Sequence, residues 1–165
     1  MMSYDMKDTY SISEEGIKVT LDFLEKNDNI IKIIDVQDSE EYRKKDIDLI
    51  ALFKNNKKAT IEVKYDTYKS GNLYFETISN MSKGTEGCLM YSEAHFLFYC
   101  FEKYKQIYIL NLPKFREWFI KNKENFDRKT TSTKIGNKTV YQSEGYTIPL
   151  KAIKKEFKYY KIVDF

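Results

Sequence analysis

The chain has 165 residues, 42% hydrophobic and 16% aromatic, with six Gly and two Pro; this is enough to bury one core and excludes a low-complexity or disordered protein. A net charge of +3 excludes no partner, but no apolar run approaches the roughly 20 residues of a membrane-spanning helix. Residues 1–10 are polar and charged, unlike a signal peptide, so a cytoplasmic protein without a membrane partner is expected.

In chain order, Ser11 or Ser13 is placed to cap a first helix, followed by Glu14 and Glu15, whose charge suits the positive helix end. Ile17, Leu21 and Leu24 recur at helical spacing with Phe23 beside them, and Asn27-Asp28-Asn29 ends the run. The β-branched run 30–36 predicts a strand, and polar residues 37–45 a loop. Two apolar strands, 47–53 and 59–65, flank the turn Lys54-Asn55-Asn56-Lys57 and read as a hairpin. A loop at 69–72 leads to a strand over 73–78, then a glycine-containing loop over 80–87 and strands at 94–101 and 106–110. Pro113 opens a helix whose apolar face is Phe115, Trp118 and Phe119. Residues 123–138 predict a polar loop, 139–148 a strand, 149–157 a short helix and 159–163 a last strand. The succession predicts one α/β domain over residues 1–165, a central mixed β-sheet flanked by helices.

Charge is unevenly distributed. Residues 103–161 carry 15 Lys/Arg against 5 Asp/Glu, and the remainder 13 against 20. A basic half suits a phosphate backbone and an acidic half suits metal ions, although a Lys-rich solvated surface gives the same asymmetry. The 14 tyrosines fit strand surfaces and also stack on nucleotide bases. Cys88 and Cys100 lack zinc-site spacing and read as buried, reduced thiols. The single histidine, His95, reads as a strand-end packing or surface residue. Residues 127–134 mix hydroxyls and cations that suit phosphates, or form an ordinary polar loop.

One constellation carries chemistry. Asp48 lies at the mouth of an apolar strand, sharing a face with Ile50 and Leu52, and Asp46 points the same way nearer the loop. On the next strand Glu62 and Lys64 face one side while Ile61 and Val63 face the other. Paired strands lie about 4.8 Å apart, so Asp48, Glu62 and Lys64 converge on one patch. Two carboxylates there repel unless a cation lies between them, and hard oxygen ligands suit Mg²⁺ or Mn²⁺. A lysine beside such a centre can orient a water and stabilise developing phosphoryl charge. Glu14, on the buried edge of the first helix, is a candidate fourth member, with Glu15 as its alternative.

With these residues the chain resembles the PD-(D/E)xK nuclease superfamily, in particular its small phage and bacterial members. The match is Glu14 on an opening helix, Asp48 at a strand start and Glu62-Val63-Lys64 on the next strand, over roughly residues 11–110. The resemblance implies a restriction-endonuclease-like core, Asp48 and Glu62 as metal ligands, and Lys64 as the catalytic lysine. Gly71-Asn72-Leu73-Tyr74-Phe75-Glu76 also resembles a segment that follows the lysine in some members, which places Asn72 and Glu76 beside the site as supporting residues. Ile47 stands where the motif has proline, and Cys88 follows Gly87 where a tryptophan is expected. The function this implies is metal-dependent hydrolysis of DNA phosphodiester bonds, with a homodimer as a candidate assembly. The alternatives are a non-catalytic nucleic-acid-binding module or a protein-interaction module on the same fold, in which Glu62 and Lys64 form an exposed ion pair.

Overall fold

Side-chain alternation along the central strands sends two apolar clusters to opposite faces of one sheet. The computed structural model describes residues 2–135 and 138–165, and the side chains of residues 11–134 and 139–165. The chain begins with β1 (Met2–Asp5), α1 (Met6–Glu25), β2 (Ile30–Asp35), α2 (Glu40–Lys44), β3 (Leu49–Phe53) and β4 (Lys58–Asp66). It continues with β5 (Asn72–Asn80), β6 (Thr85–Glu86), α3 (Cys88–Tyr91), β7 (Phe96–Phe101) and β8 (Gln106–Asn111). The last elements are α4 (Leu112–Asn122), β9 (Asp127–Ile135), β10 (Lys138–Pro149), α5 (Leu150–Glu156) and β11 (Tyr160–Asp164). The fold is α/β, with a mixed six-stranded sheet in the order β11-β8-β7-β4-β3-β2. Within that sheet β4 and β7 pair in parallel, and the other neighbours pair antiparallel.

One face of this sheet is closed by α1, where Ile17, Val19 and Leu24 pack with Leu49, Ile61 and Val63. The other face carries the larger cluster, including Leu97, Tyr99 and Leu110, and is covered by α4, α5 and strands β5 and β10. Phe115 and Phe119 are buried there as their spacing predicts, and Phe119 stacks on Phe75 with centroids 3.9 Å apart. Asn111 caps α4 by accepting from Lys114 N at 3.1 Å, just ahead of the Pro113 start. Among the described residues no helix is long and apolar enough to cross a membrane.

The structure corrects the predicted elements in four places. The first helix begins at Met6, so Ser11 and Ser13 lie inside it rather than at its cap. Residues 37–45 contain α2, which has no buried residue. Its salt bridges, Lys44 to Glu40 at 2.7 Å and Lys45 to Glu41 at 2.8 Å, stabilise it from neighbour to neighbour instead. The predicted 123–138 loop holds β9, whose hydroxyl-rich face meets β10; Thr131 and Ser143 oxygens lie 2.6 Å apart. Finally, β9 and β10 join β1, β5 and β6 in a second, five-stranded sheet in the order β1-β9-β10-β5-β6. That second sheet packs over the face of β4 that carries Glu62.

Candidate metal centre

Alternation along β4 separates its side chains. Ile61 and Val63 enter the cluster under α1, and α1 comes so close that a Cβ on Gly16 would lie 2.9 Å from Tyr65 Cβ. Thr60, Glu62, Lys64 and Asp66 therefore face the opposite side. Glu62 is 2% exposed, and the Lys64 side chain, 36% exposed, places Nζ 2.5 Å from Glu62 Oε1. The pair is thus half inside the protein, which removes the reading of an exposed surface ion pair.

Asp48 stands across from Glu62, one step beyond the Leu49 and Ile61 pair of the β3–β4 ladder. Its N–H donates to Ile61 O at 2.9 Å and its Oδ2 accepts from Val63 N at 2.8 Å. The side chain continues the ladder where the backbone departs from it. Removing that acceptor by Asp48→Ala is expected to cost about 1–3 kcal/mol, since it strands a part-buried N–H, whereas Asp48→Asn keeps an acceptor oxygen and costs less. Chemical denaturation of the two variants measures the difference.

The departing residue is Asp46, held at φ 52°. For a non-glycine residue this left-handed backbone costs on the order of 1 kcal/mol or more. It turns the Asp46 carboxylate toward Glu62 and Cys88, so that ligand atoms of the three lie within 4.8 Å of one another. Asp46 Oδ2 is buried without a hydrogen-bond partner among the described atoms. Two carboxylates placed so must share a proton or a cation. Asp46 thus joins Glu62 and Cys88 in one group, while Asp48, across the ladder from Glu62, acts on both carboxylates from nearby and keeps one oxygen on Val63 N.

The electrostatics follow from burial. Burial pushes the Glu62 carboxyl well above the usual range; Lys64 opposes the rise, and Asp48 and Asp46 add to it. Burial also raises Asp46, with Lys64 again opposing and Asp48 adding. For Lys64, burial works against the charge, but Cys88, Glu62 and Asp46 favour it and hold the ammonium well above its ordinary value. Burial pushes the Cys88 thiol up to about 12, so at neutral pH it is uncharged and the carboxylates are what keep Lys64 protonated.

Glu76 of β5 joins this group from the second sheet. Burial raises its carboxyl, while Lys64, the Ser143 hydroxyl and the Cys88 backbone N–H oppose the rise. Tyr91 of α3 stands at the rim; burial, then Asp46 and Cys88, push its phenol up to about 12, so it keeps its proton at neutral pH. Arg116 fastens α3 in place, donating from Nε to Leu89 O at 2.8 Å and from its NH2 nitrogen to Ser92 O at 2.7 Å. Gly87 lets α3 approach β5, because a Cβ there would lie 2.4 Å from Glu76 O. Gly87→Ala must separate α3 from β5, and a loss of about 1–3 kcal/mol is expected in chemical denaturation.

Among the other predicted residues, Glu14 and Glu15 are exposed on α1, the helix that packs on the far face of β4. Glu15 acts on Tyr65 of that face. The helix position fits their expected supporting role poorly, since the sheet lies between it and Glu62. Asn72 lies farther along, lining a cavity with Asp66 rather than meeting the carboxylate group. His95 is a strand-end residue: its Nδ1 accepts from Thr60 N at 3.0 Å and lies 2.7 Å from Thr60 Oγ1, tying β7 to β4. Cys88 and Tyr91 carried no readable signal, because their positions depend on the short helix α3. Compared with family models, curated proteins and solved structures, the chain matches none.

Proposed function

We propose that the chain is a metal-dependent nuclease of the PD-(D/E)xK type, hydrolysing DNA phosphodiester bonds at the site formed by Asp46, Glu62 and Lys64. The observation that carries the reading is the buried Asp46 Oδ2, without a hydrogen-bond partner among the described atoms, on a carboxylate turned toward the buried Glu62, with Lys64 beside Glu62 on the same strand face. An unsatisfied buried carboxylate oxygen costs several kcal/mol unless something binds it. The donor set fits Mg²⁺ or Mn²⁺ through Asp46 and Glu62, with Glu76 close behind. Cys88, as a neutral thiol, is a poor partner for such hard ions. A divalent cation bound there would offset the carboxylate charge and polarise the phosphoryl group.

The chain's own residues divide the remaining tasks. Lys64, held by Glu62, presents a fixed positive charge to the phosphoryl oxygens as charge develops. Tyr91 retains a phenolic proton at the rim and can donate a hydrogen bond to the same group. In the hydrolysis, a water oxygen bonds to phosphorus, one P–O ester bond breaks, and the alcohol leaves with a proton. The basic stretch 103–161 supports binding of the DNA backbone.

Purified protein incubated with supercoiled plasmid and with single-stranded DNA, in Mg²⁺, Mn²⁺ or chelator, tests the reading. Cutting that requires metal and disappears in a Glu62→Ala, Lys64→Ala double variant is the expected result. Salt-sensitive DNA binding without cutting on any substrate would replace the enzyme by a non-catalytic nucleic-acid-binding module.

A further inference from the structure

The carboxylate cluster does not line the cavity of 480 Å³ that opens nearby, where Asp66 ends β4 and the second sheet begins. Asp66 lies two residues beyond Lys64 on the same strand face, about 7 Å along the strand. The cavity has the size of a small-molecule site. Its walls come from Tyr68, Asn72 and Tyr74 on one side and from Asp127, Lys129 and Thr131 on the other. Asp66 is fixed in the wall, accepting from Tyr68 N at 2.6 Å and from the Tyr99 hydroxyl at 3.1 Å. The Tyr99 hydroxyl also accepts from Tyr74 N at 3.1 Å, tying the two sheets together at the cavity.

The chemistry of the walls selects an occupant. Two carboxylates against one lysine disfavour a phosphate or any other anion as the enclosed group. Two tyrosine rings favour a flat ring that stacks on them. Hydroxyl, amide and carboxylate groups favour a ring edge that donates and accepts hydrogen bonds, and Asp66 and Asp127 prefer donors such as exocyclic amino groups. A nucleobase has these properties, and it can enter only when it is not stacked in a duplex.

We infer that this cavity is a base-binding subsite that receives an unstacked base of a single-stranded nucleic acid, about one nucleotide from the phosphate held at Lys64. The inference rests on the nuclease reading for its position relative to the phosphate. It deepens that reading by naming the substrate as single-stranded, or as duplex opened at the site. Lys129, exposed at the rim, is placed to meet the flanking phosphate rather than the base.

The test separates binding from cutting. Trinucleotides, as DNA and as RNA to tell the two sources of the base apart, are titrated in chelator, beside a trinucleotide whose central position is abasic. Tyrosine fluorescence and calorimetry follow the wild type, Tyr68→Phe and Tyr68→Ala. Tyr68 is 36% exposed, so its replacement spares the core. The expected result is that base-containing strands bind wild type and Tyr68→Phe alike, about tenfold more weakly in Tyr68→Ala, a loss typical of one stacking ring. The abasic strand should bind all three proteins equally and weakly. Equal affinity of wild type for abasic and base-containing strands, or equal losses in Tyr68→Phe and Tyr68→Ala, would overturn the assignment. Binding is read without metal, so base-dependent binding in a protein that cuts nothing supports the subsite and rejects the nuclease. Metal-dependent cutting with base-independent binding does the reverse.

Discussion

Glu62→Gln is expected to abolish metal-dependent DNA cleavage, lowering the rate by about three orders of magnitude or more, while leaving the protein at least as stable as the wild type. The two halves of this result come from the same observation. Glu62 is buried with its carboxyl raised well above the usual range, so its charge is unfavourable in the folded, metal-free state. Asp46, Asp48 and Glu76 are close enough to act on it or on Lys64. Four acidic groups around one lysine leave an excess of negative charge. The neutral isostere relieves repulsion, and Lys64 still has Asp46 and Glu76 for partners. Its 36% exposed side chain also reaches water, so the usual penalty for orphaning a buried charge does not apply in full. A purely structural ion pair gives the opposite pattern, with stability lost and no activity to lose. Cleavage rates and thermal melts of one preparation separate the two, and a destabilised Glu62→Gln would count against the metal reading.

Metal-free protein is expected to be more stable near pH 5 than near pH 8 relative to Glu62→Gln, and saturating Mn²⁺ should remove this difference. For Glu62, Asp46 and Glu76 the folded values all lie above the ordinary ones. Between the unfolded and folded values the folded state holds more protons than the unfolded chain, so stability falls as pH rises. The benefit is fully present near and below the unfolded value, about 4, and is lost as pH climbs through the folded values. Lys64 is raised in the folded state, so its contribution is present below about 10.4 and is lost only above the window tested. Metal binding inverts the demand, since it requires the deprotonated carboxylates. At a hundredfold excess over Kd it adds about 2.7 kcal/mol, or roughly 5–10 °C in Tm for a chain of this size. A wild-type melting curve with no pH dependence relative to Glu62→Gln would contradict the buried-carboxylate account.

Much of the six-stranded sheet could be read from residue patterns. Alternation in residues 59–65 put Glu62 and Lys64 on one face, and the turn at Lys54-Asn55-Asn56-Lys57 paired that strand with the one bearing Asp48. What could not be read was the backbone at Asp46. Nothing local signals a left-handed conformation at an aspartate followed by Ile47, yet Asp46, held at that φ, joins Glu62 and Cys88 in one group. The second sheet was hidden for a different reason. Its strand β9 buries hydroxyls rather than hydrocarbon, so residues 127–135 have the polarity of a loop until β10 supplies partners for Thr131 and Ser132. With that sheet unseen, Cys88, Tyr91 and the cavity at Asp66 had no context. Glu76 was named only through resemblance; it stands on β5 of the second sheet, where Lys64, Ser143 and the Cys88 N–H act on its carboxyl. Glu14 illustrates the converse: its sequence context read as a helix start, but α1 begins at Met6 and Glu14 lies exposed within it, on the helix that packs on the far face of β4.

Calorimetric titration of chelator-treated protein with Mn²⁺, with Asp46→Asn and Glu62→Gln run beside the wild type, asks whether these carboxylates hold a cation. A metal centre at Asp46 and Glu62 predicts one saturable site in the wild type and its loss in each variant, with folding intact by circular dichroism. Absence of Mn²⁺ binding by the wild type, or unchanged binding in both folded variants, would contradict it.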